Sequence, residues 1–191
     1  MLSRTEPRVV ARPFDKFFNW GERGLYPNRD AHLETVTSKI DGSLIIAFWH
    51  DNQFRCVTRG AFDSMQAMFA QKMFNFIDDE LYTYTWGSRY TYLFELVHPQ
   101  NRIVVDYGPT ESLYLLAVRD NNTGMYLPRY SSLYELSDRL GVETPLVWNF
   151  NNPGEIIAEC GKLGPNAEGY VAEFSDGTRQ IVTGKPIRQF I

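Results

Sequence analysis

The chain has little of what a metal framework or a disulfide scaffold needs. Its 191 residues include two cysteines and three histidines. Cys56 and Cys160, with His32, His50 and His98, show no zinc-ligand spacing. Two cysteines cannot build a disulfide framework, so they read as buried thiols of a reducing compartment. No apolar run approaches a membrane span, and Arg4, Glu6 and Arg8 interrupt the start. Neither a membrane partner nor a secretory signal is expected, and a cytoplasmic setting follows. Repeats and low-complexity tracts are missing too. So is an excess of basic charge. A net charge of −4 argues against a free-standing, high-affinity nucleic-acid binder. A local basic cleft stays open, because 19 Lys and Arg are still to be distributed.

Aromatic residues are abundant at 15%, alongside 43% hydrophobic and 22% charged residues. That composition suits a globular, sheet-rich protein with one sizeable core. Residues 7–12 read as a short strand, and Pro13 as the opening of a helix in FDKFFNWGE. After the loop YPNRDAH comes a strand at 33–39. A hairpin follows, SLIIAFW and FRCVTRG joined at His50 to Gln53. Asp63 is placed to cap a helix of about 14 residues, with Met65, Met68, Phe69, Met73, Phe76 and Ile77 as its core face. Strands are expected at YTYLFELV, RIVVDYG, SLYLLAVRD and VWNF, and helices at 131–139 and in PGEIIAECG. The hairpin EGYVAEF, SDGT, RQIVT ends the pattern. About nine strands to four helices, mostly antiparallel, predicts an α+β protein with antiparallel sheets and flanking helices.

Asp41-Gly42 lies between two β-branched runs, VTSKI and SLIIAFW, and reads as a hairpin turn. Lys39, two residues earlier, admits a second reading. An amine at the end of an apolar strand, with Gly42 allowing close approach of a ligand, suits nucleophilic attack on phosphorus. Asp41 then either orients Lys39 or serves only the turn. Glu95 lies mid-strand among Leu93, Phe94, Leu96 and Val97, where an unpartnered carboxylate is expensive, so it reads as a site residue. Glu168 opens a strand and Arg59 precedes Gly60; each is read equally well as site or surface. Arg12 and Lys16 read as structural, and Arg102 as a salt-bridge partner.

Six segments, in order along nearly the whole chain, resemble a known family: ARPFDKFFNWGE (11–22), SKIDGSL (38–44), VTRGAF (57–62), YLFELVHPQNRIVVDY (92–107), SLYLLAVRD (112–120) and EGYVAEF (168–174). Together they resemble the phage-type ATP-dependent RNA ligases (T4 RNA ligase 1-like) of the covalent nucleotidyltransferase superfamily. The resemblance implies a single nucleotidyltransferase (ATP-grasp-like) adenylation domain over residues 1–191, without a C-terminal RNA-specificity domain. It implies that Lys39 attacks the α-phosphorus of ATP, expels pyrophosphate and holds AMP as a phosphoramidate. The adenylate passes to an RNA 5′-phosphate, and a 3′-hydroxyl displaces AMP. By the same resemblance Glu95 binds the ribose hydroxyls, Glu168 stands near Mg²⁺ or Mn²⁺, and Arg59 meets nucleotide or RNA phosphate. Asp41 and Gly42 complete the lysine motif. An origin in phage would place the work in the host cytoplasm, in RNA repair.

The pattern departs from the family at both ends. A strand carrying Arg-Gly normally precedes the segment that begins at Met1. Two lysines one residue apart normally follow EGYV, and here those positions are Ile181 and Thr183. Three readings stay open: a trimmed ligase, a minimal enzyme in which Lys185 or Arg188 takes the lysines' place, and a nucleotide- or RNA-binding relative that no longer seals ends. An mRNA capping guanylyltransferase shares Lys-x-Asp-Gly, but ARPFDKFFN and NRIVVDY favour the ligase branch.

Overall fold

The computed structural model describes residues 8–51, 53–74 and 89–183. The chain divides into two units. The first takes the residues up to Pro13, Ser43–Leu96 and Ser112–Thr144; the second takes Phe14–Gly42, Val97–Glu111 and those from Pro145 on.

The first unit is built on a four-stranded sheet. Its strands are β3 (Ser43–His50), β4 (Gln53–Val57), β5 (Tyr90–Val97) and β6 (Ser112–Asp120), in the order β4-β3-β5-β6. The hairpin β3–β4 closes as expected, with His50 opposite Gln53 and Asp51 at a positive φ of 50°. Alternation sends Ile45, Ala47, Phe54, Cys56, Tyr92, Phe94 and Leu96 into one core. Helix α1 (Met65–Phe74) and helix α2 (Tyr134–Leu140), preceded by a π-helical turn at Arg129–Leu133, contribute to that core.

Two details of α1 differ from expectation. Its cap is Ser64, whose hydroxyl accepts from the Ala67 amide at 3.2 Å, one residue after Asp63. Its buried face is Ala67, Ala70 and Phe74, while Met65 and Met68 are 60% and 54% exposed. The two small alanines let the helix lie close to the sheet, and that rotates the methionines outward. Phe69 and Met73 do pack against the core; Phe76 and Ile77 lie outside the described residues. Residues 8–12 are not a strand. Side chains hold this segment instead: the Arg12 amide donates to Thr91 Oγ1 at 2.9 Å, and Asn121 Nδ2 donates to the Val10 carbonyl at 3.1 Å.

The second unit holds a five-stranded sheet with β1 (Phe18–Asn19), β2 (Leu33–Ser38), β7 (Val147–Trp148), β8 (Tyr170–Phe174) and β9 (Arg179–Val182), ordered β1-β9-β8-β2-β7. The hairpin β8–β9 forms as the sequence predicts, with Gly177 at φ 82° in the turn. Helix α3 (Pro153–Cys160) is capped by Asn152, whose side chain accepts from the Glu155 amide at 3.1 Å. It packs on the face made by Val36, Tyr170, Ala172, Phe174 and Val182. Both cysteines are free and buried, and burial pushes the Cys160 thiol up to about 11.

The helix expected after Pro13 is absent. Phe18 and Asn19 instead pair in parallel with Gln180 and Ile181, and the Trp20 amide donates to the Ile181 carbonyl at 2.8 Å. Aromatic contacts accompany this pairing, with Phe14 edge-on to Phe17 at 5.8 Å and Trp20 stacked on Phe174 at 6.1 Å. RIVVDYG is likewise an irregular loop rather than a strand. Among the described residues no helix is long and apolar enough to cross a membrane.

Phe74 is 1% exposed and touches both Phe54 and Phe94, with ring centroids at 5.0 and 4.9 Å. Phe74→Ala is expected to cost about 3–5 kcal/mol of stability, read as a lowered urea midpoint with an unchanged slope.

Candidate active site

Asp41-Gly42 does not close a hairpin. β2 pairs with β7 and β8, whereas β3 pairs with β4 and β5, so the two runs flanking Asp-Gly belong to different sheets. The turn reading fails because β2 finds its partners more than 100 residues later, in β7 and β8, while β3 folds back on the adjacent β4 and on β5. What remains is a connector that carries Lys39 out of β2, and its geometry is fixed at three points.

The first is a main-chain bond. The Lys39 amide donates to the Gly169 carbonyl at 2.9 Å, extending the β2–β8 ladder one step beyond Ser38 opposite Tyr170. Gly169 is indispensable there. Its φ is 138°, and a Cβ at that position would lie 2.1 Å from the Val182 carbonyl oxygen. The second is Asp41, 5% exposed and thus a buried carboxylate. Its Oδ2 accepts from the Val104 and Val105 amides, each at 2.6 Å. The third is Tyr107, whose hydroxyl accepts from the Asp41 amide at 3.1 Å. Asp41 therefore ties the lysine loop to the loop 102–107, and charge-assisted bonds to two amides offset the cost of burying its charge. Beside this clamp the loop 97–110 walls a polar cavity with Asn101, Arg102, Tyr107 and Thr110.

The Lys39 ammonium is in an ion pair with Glu168 Oε2. Their side chains are 26% and 16% exposed, so the pair is half-buried and less screened than a surface bridge. The neighbour of the amine at the end of this strand is a carboxylate. The register explains the meeting: Glu168 precedes the glycine that faces Lys39.

Strand alternation orders the rest of this surface. Val36 and Ala172 point to α3, so Thr35, Thr37, Val171, Glu173, Arg179 and Ile181 point the other way, and Lys39 keeps their parity. On that face Glu173 and Arg179 are paired at 3.2 Å, and Arg179 lies over the Phe14 ring at 5.3 Å. Ile181, where a lysine was sought, is on the same face.

Four of the residues singled out in the sequence, Lys39, Asp41, Gly42 and Glu168, belong to the second unit. Glu95 and Arg59 belong to the first. Glu95 faces away from the core of its sheet, opposite Leu44, and is half-buried between the fully buried Phe94 and Leu96. Arg59 is exposed in a tight turn closed by the Thr58 amide on the Ala61 carbonyl at 3.0 Å. Lys185 and Arg188 lie outside the described residues. Arg12 donates through Nε to the Asn121 carbonyl at 3.2 Å, Lys16 lies over the Phe18 ring at 5.0 Å, and Arg102 bridges to Asp106 at 2.9 Å, all structural contacts. Gly169 and Tyr107 were missed. An isolated glycine inside a strand pattern was the available signal for the first; nothing local marked the second.

A family model described as RNA ligase matches residues 1–189. RNA ligase 1 of bacteriophage TS2126 is 30% identical over 133 residues, covering 62% of this chain and 33% of that protein. An archaeal ATP-dependent RNA ligase superimposes with a TM-score of 0.64 at 16% identity, covering 90% of this chain and 48% of the other. The Naegleria gruberi RNA ligase, solved with pyrophosphate, gives a TM-score of 0.61 at 19% identity, covering 79% and 50%; a variant of it was solved with ATP and Mn. These likenesses show that the chain shares its fold with those ligases. The chain spans less than half the length of the curated relatives it matches.

Two substitutions test the geometry. Gly169→Ala must displace backbone, and is expected to cost about 1–3 kcal/mol in chemical unfolding. Asp41→Ala leaves the Val104 and Val105 amides without their acceptor and is expected to cost about 1.5–3 kcal/mol. Amide hydrogen exchange at 104–105 should accelerate in the Asp41→Ala protein before exchange in β8 does.

Proposed function

The chain belongs to the RNA ligase family, and on that premise we propose that it is the adenylation domain of an ATP-dependent RNA ligase, with Lys39 as its nucleophile. The observation that carries this reading is the ion pair of Lys39 with Glu168 at a main-chain position locked by Gly169. A lysine held this firmly is pre-aimed, and positioning is the larger part of phosphoryl-transfer catalysis.

Lys39 Nζ, having given its proton to solvent, attacks the α-phosphorus of ATP. The new P–N bond forms as the bond to the bridging oxygen breaks, and pyrophosphate leaves with that electron pair. The oxygen of an RNA 5′-phosphate then takes the AMP from Lys39. The 3′-hydroxyl of the other end attacks the activated phosphate, loses its proton and releases AMP. Asp41 acts on none of the reacting atoms; it holds the loop that presents Lys39. Gly42 is assigned to close approach of the nucleotide to the loop backbone. Glu95 is assigned to the ribose hydroxyls, and Arg59 to phosphate of nucleotide or RNA. Lys185 is assigned to the triphosphate.

Glu168 suits a hard divalent cation, Mg²⁺ or Mn²⁺, by the chemistry of its donor. A single carboxylate completed by phosphate and water oxygens is the usual arrangement for Mg²⁺ in nucleotide sites. Such an ion, when bound, neutralises charge on the phosphates. Glu168 holds the Lys39 ammonium in this structure, so a cation bound there would replace that ion pair. RNA ends are the second substrate. RNA repair in a cytoplasm, the host's if the gene is a phage's, is the setting this chemistry fits.

Intact-mass measurement after mixing with ATP and Mg²⁺ tests the reading. The expected outcome is a gain of one AMP, labile to acid and absent from Lys39→Ala. An adduct retained by Lys39→Ala would move the nucleophile elsewhere. GTP should give no adduct.

A further inference from the structure

Phe62 is 82% exposed, more than any other large hydrophobic residue described. It is not on a loose loop. The Thr58 amide and hydroxyl both donate to the Ala61 carbonyl, at 3.0 and 3.1 Å, and the Thr58 and Ser64 hydroxyls lie 3.2 Å apart. Ser64 in turn caps α1 through the Ala67 amide. The aromatic ring is thus presented by a turn hydrogen-bonded at both ends. The outer side of that turn is open: a Cβ built on Gly60 would meet nothing within 4 Å.

The surface continues along the helix. With Ala67, Ala70 and Phe74 buried, Met65, Met68 and Lys72 share the opposite face, all exposed. Met65 to Lys72 spans about 10 Å of helix at 1.5 Å per residue. An exposed cation stands at each end, Arg59 and Lys72, with three exposed apolar side chains between them. Asp63 is the acid of the stretch.

An apolar strip between two cations fits a ligand that alternates flat apolar surfaces with negative charge. We propose that this strip docks single-stranded RNA. A base stacks on Phe62 and rests against Met65 and Met68, and phosphates meet Arg59 and Lys72. The proposal rests on the RNA ligase reading, and it assigns to Phe62 and the outer face of α1 a substrate contact distinct from the Lys39 site. A protein partner would be satisfied by the methionines alone; the cations at both ends favour a phosphodiester chain.

The test uses the 191-residue chain and a short single-stranded oligouridylate bearing a 5′-phosphate. Phe62→Trp provides a reporter whose fluorescence should be quenched as RNA stacks on it. Phe62→Ala should weaken RNA binding about tenfold, within the range for losing one base stack. Lys72→Ala should reduce the salt dependence of binding by about 0.7 in log–log slope, the share of one phosphate contact on a single strand. Both alanine variants should take up AMP from ATP as the parent does. A parent that takes up AMP and binds RNA equally well with and without Phe62 overturns the strip and leaves the ligase reading standing. A parent that neither takes up AMP nor binds RNA overturns both. Sedimentation showing a dimer that Phe62→Ala disperses, with RNA affinity unchanged, assigns the strip to a second copy of the chain and overturns the proposal.

Discussion

Where β8 begins, the backbone of Gly169 passes so near the Val182 carbonyl that no side chain fits between them. That crowding brings the Gly169 carbonyl within reach of the Lys39 amide and sets Glu168 beside the lysine head group. An alanine there would push on main chain, which cannot move aside like a flexible side chain. The lysine, the carboxylate and the strand pairing that joins them therefore all descend from one hydrogen atom standing where a methyl group would otherwise be.

Asp41 works by a different economy. A buried carboxylate is tolerated only when its charge is met, and here two neighbouring amides and a short loop meet it. Because β2 and β3 go to separate sheets, the connector between them has no ladder of its own, and the Asp41 side chain stands in for one. The same logic runs through residues 8–13 of the first unit, where Thr91 and Asn121 side chains take the place of strand pairing. In both places polar side chains order an irregular segment where strand pairing is missing.

The elements most legible in the sequence were those with local causes. The β3–β4 and β8–β9 hairpins, the Asn152-Pro153 start of α3 and the mid-strand position of Glu95 follow from turn chemistry, capping and alternation. The failures share a non-local cause. Phe18-Asn19 became a strand because β9, some 160 residues later, offered an edge. RIVVDYG carries strand-forming residues but lost its ladder to Asp41. Met65 and Met68 looked like core by spacing, yet the smaller Ala67 and Ala70 won the interior because they permit close packing. Lys39, Asp41, Gly42, Glu95, Arg59 and Glu168 were all named from sequence. What could not be seen was that the carboxylate of Glu168 is the immediate neighbour of the Lys39 amine, since 129 positions separate them.

The order of strands has a bearing on how the protein is born. The chain passes between its two units five times, at residues 13/14, 42/43, 96/97, 111/112 and 144/145. β8, the middle strand of its sheet, is made about 130 residues after its neighbour β2. At roughly 5–20 residues per second, β2 waits on the order of ten seconds outside the ribosome before that partner emerges. Thr35, Thr37, Ser38 and Lys39 give the waiting strand a polar edge, the kind of composition that discourages premature pairing with other nascent chains. The lysine loop is thus synthesised well before the strand that gives it its shape.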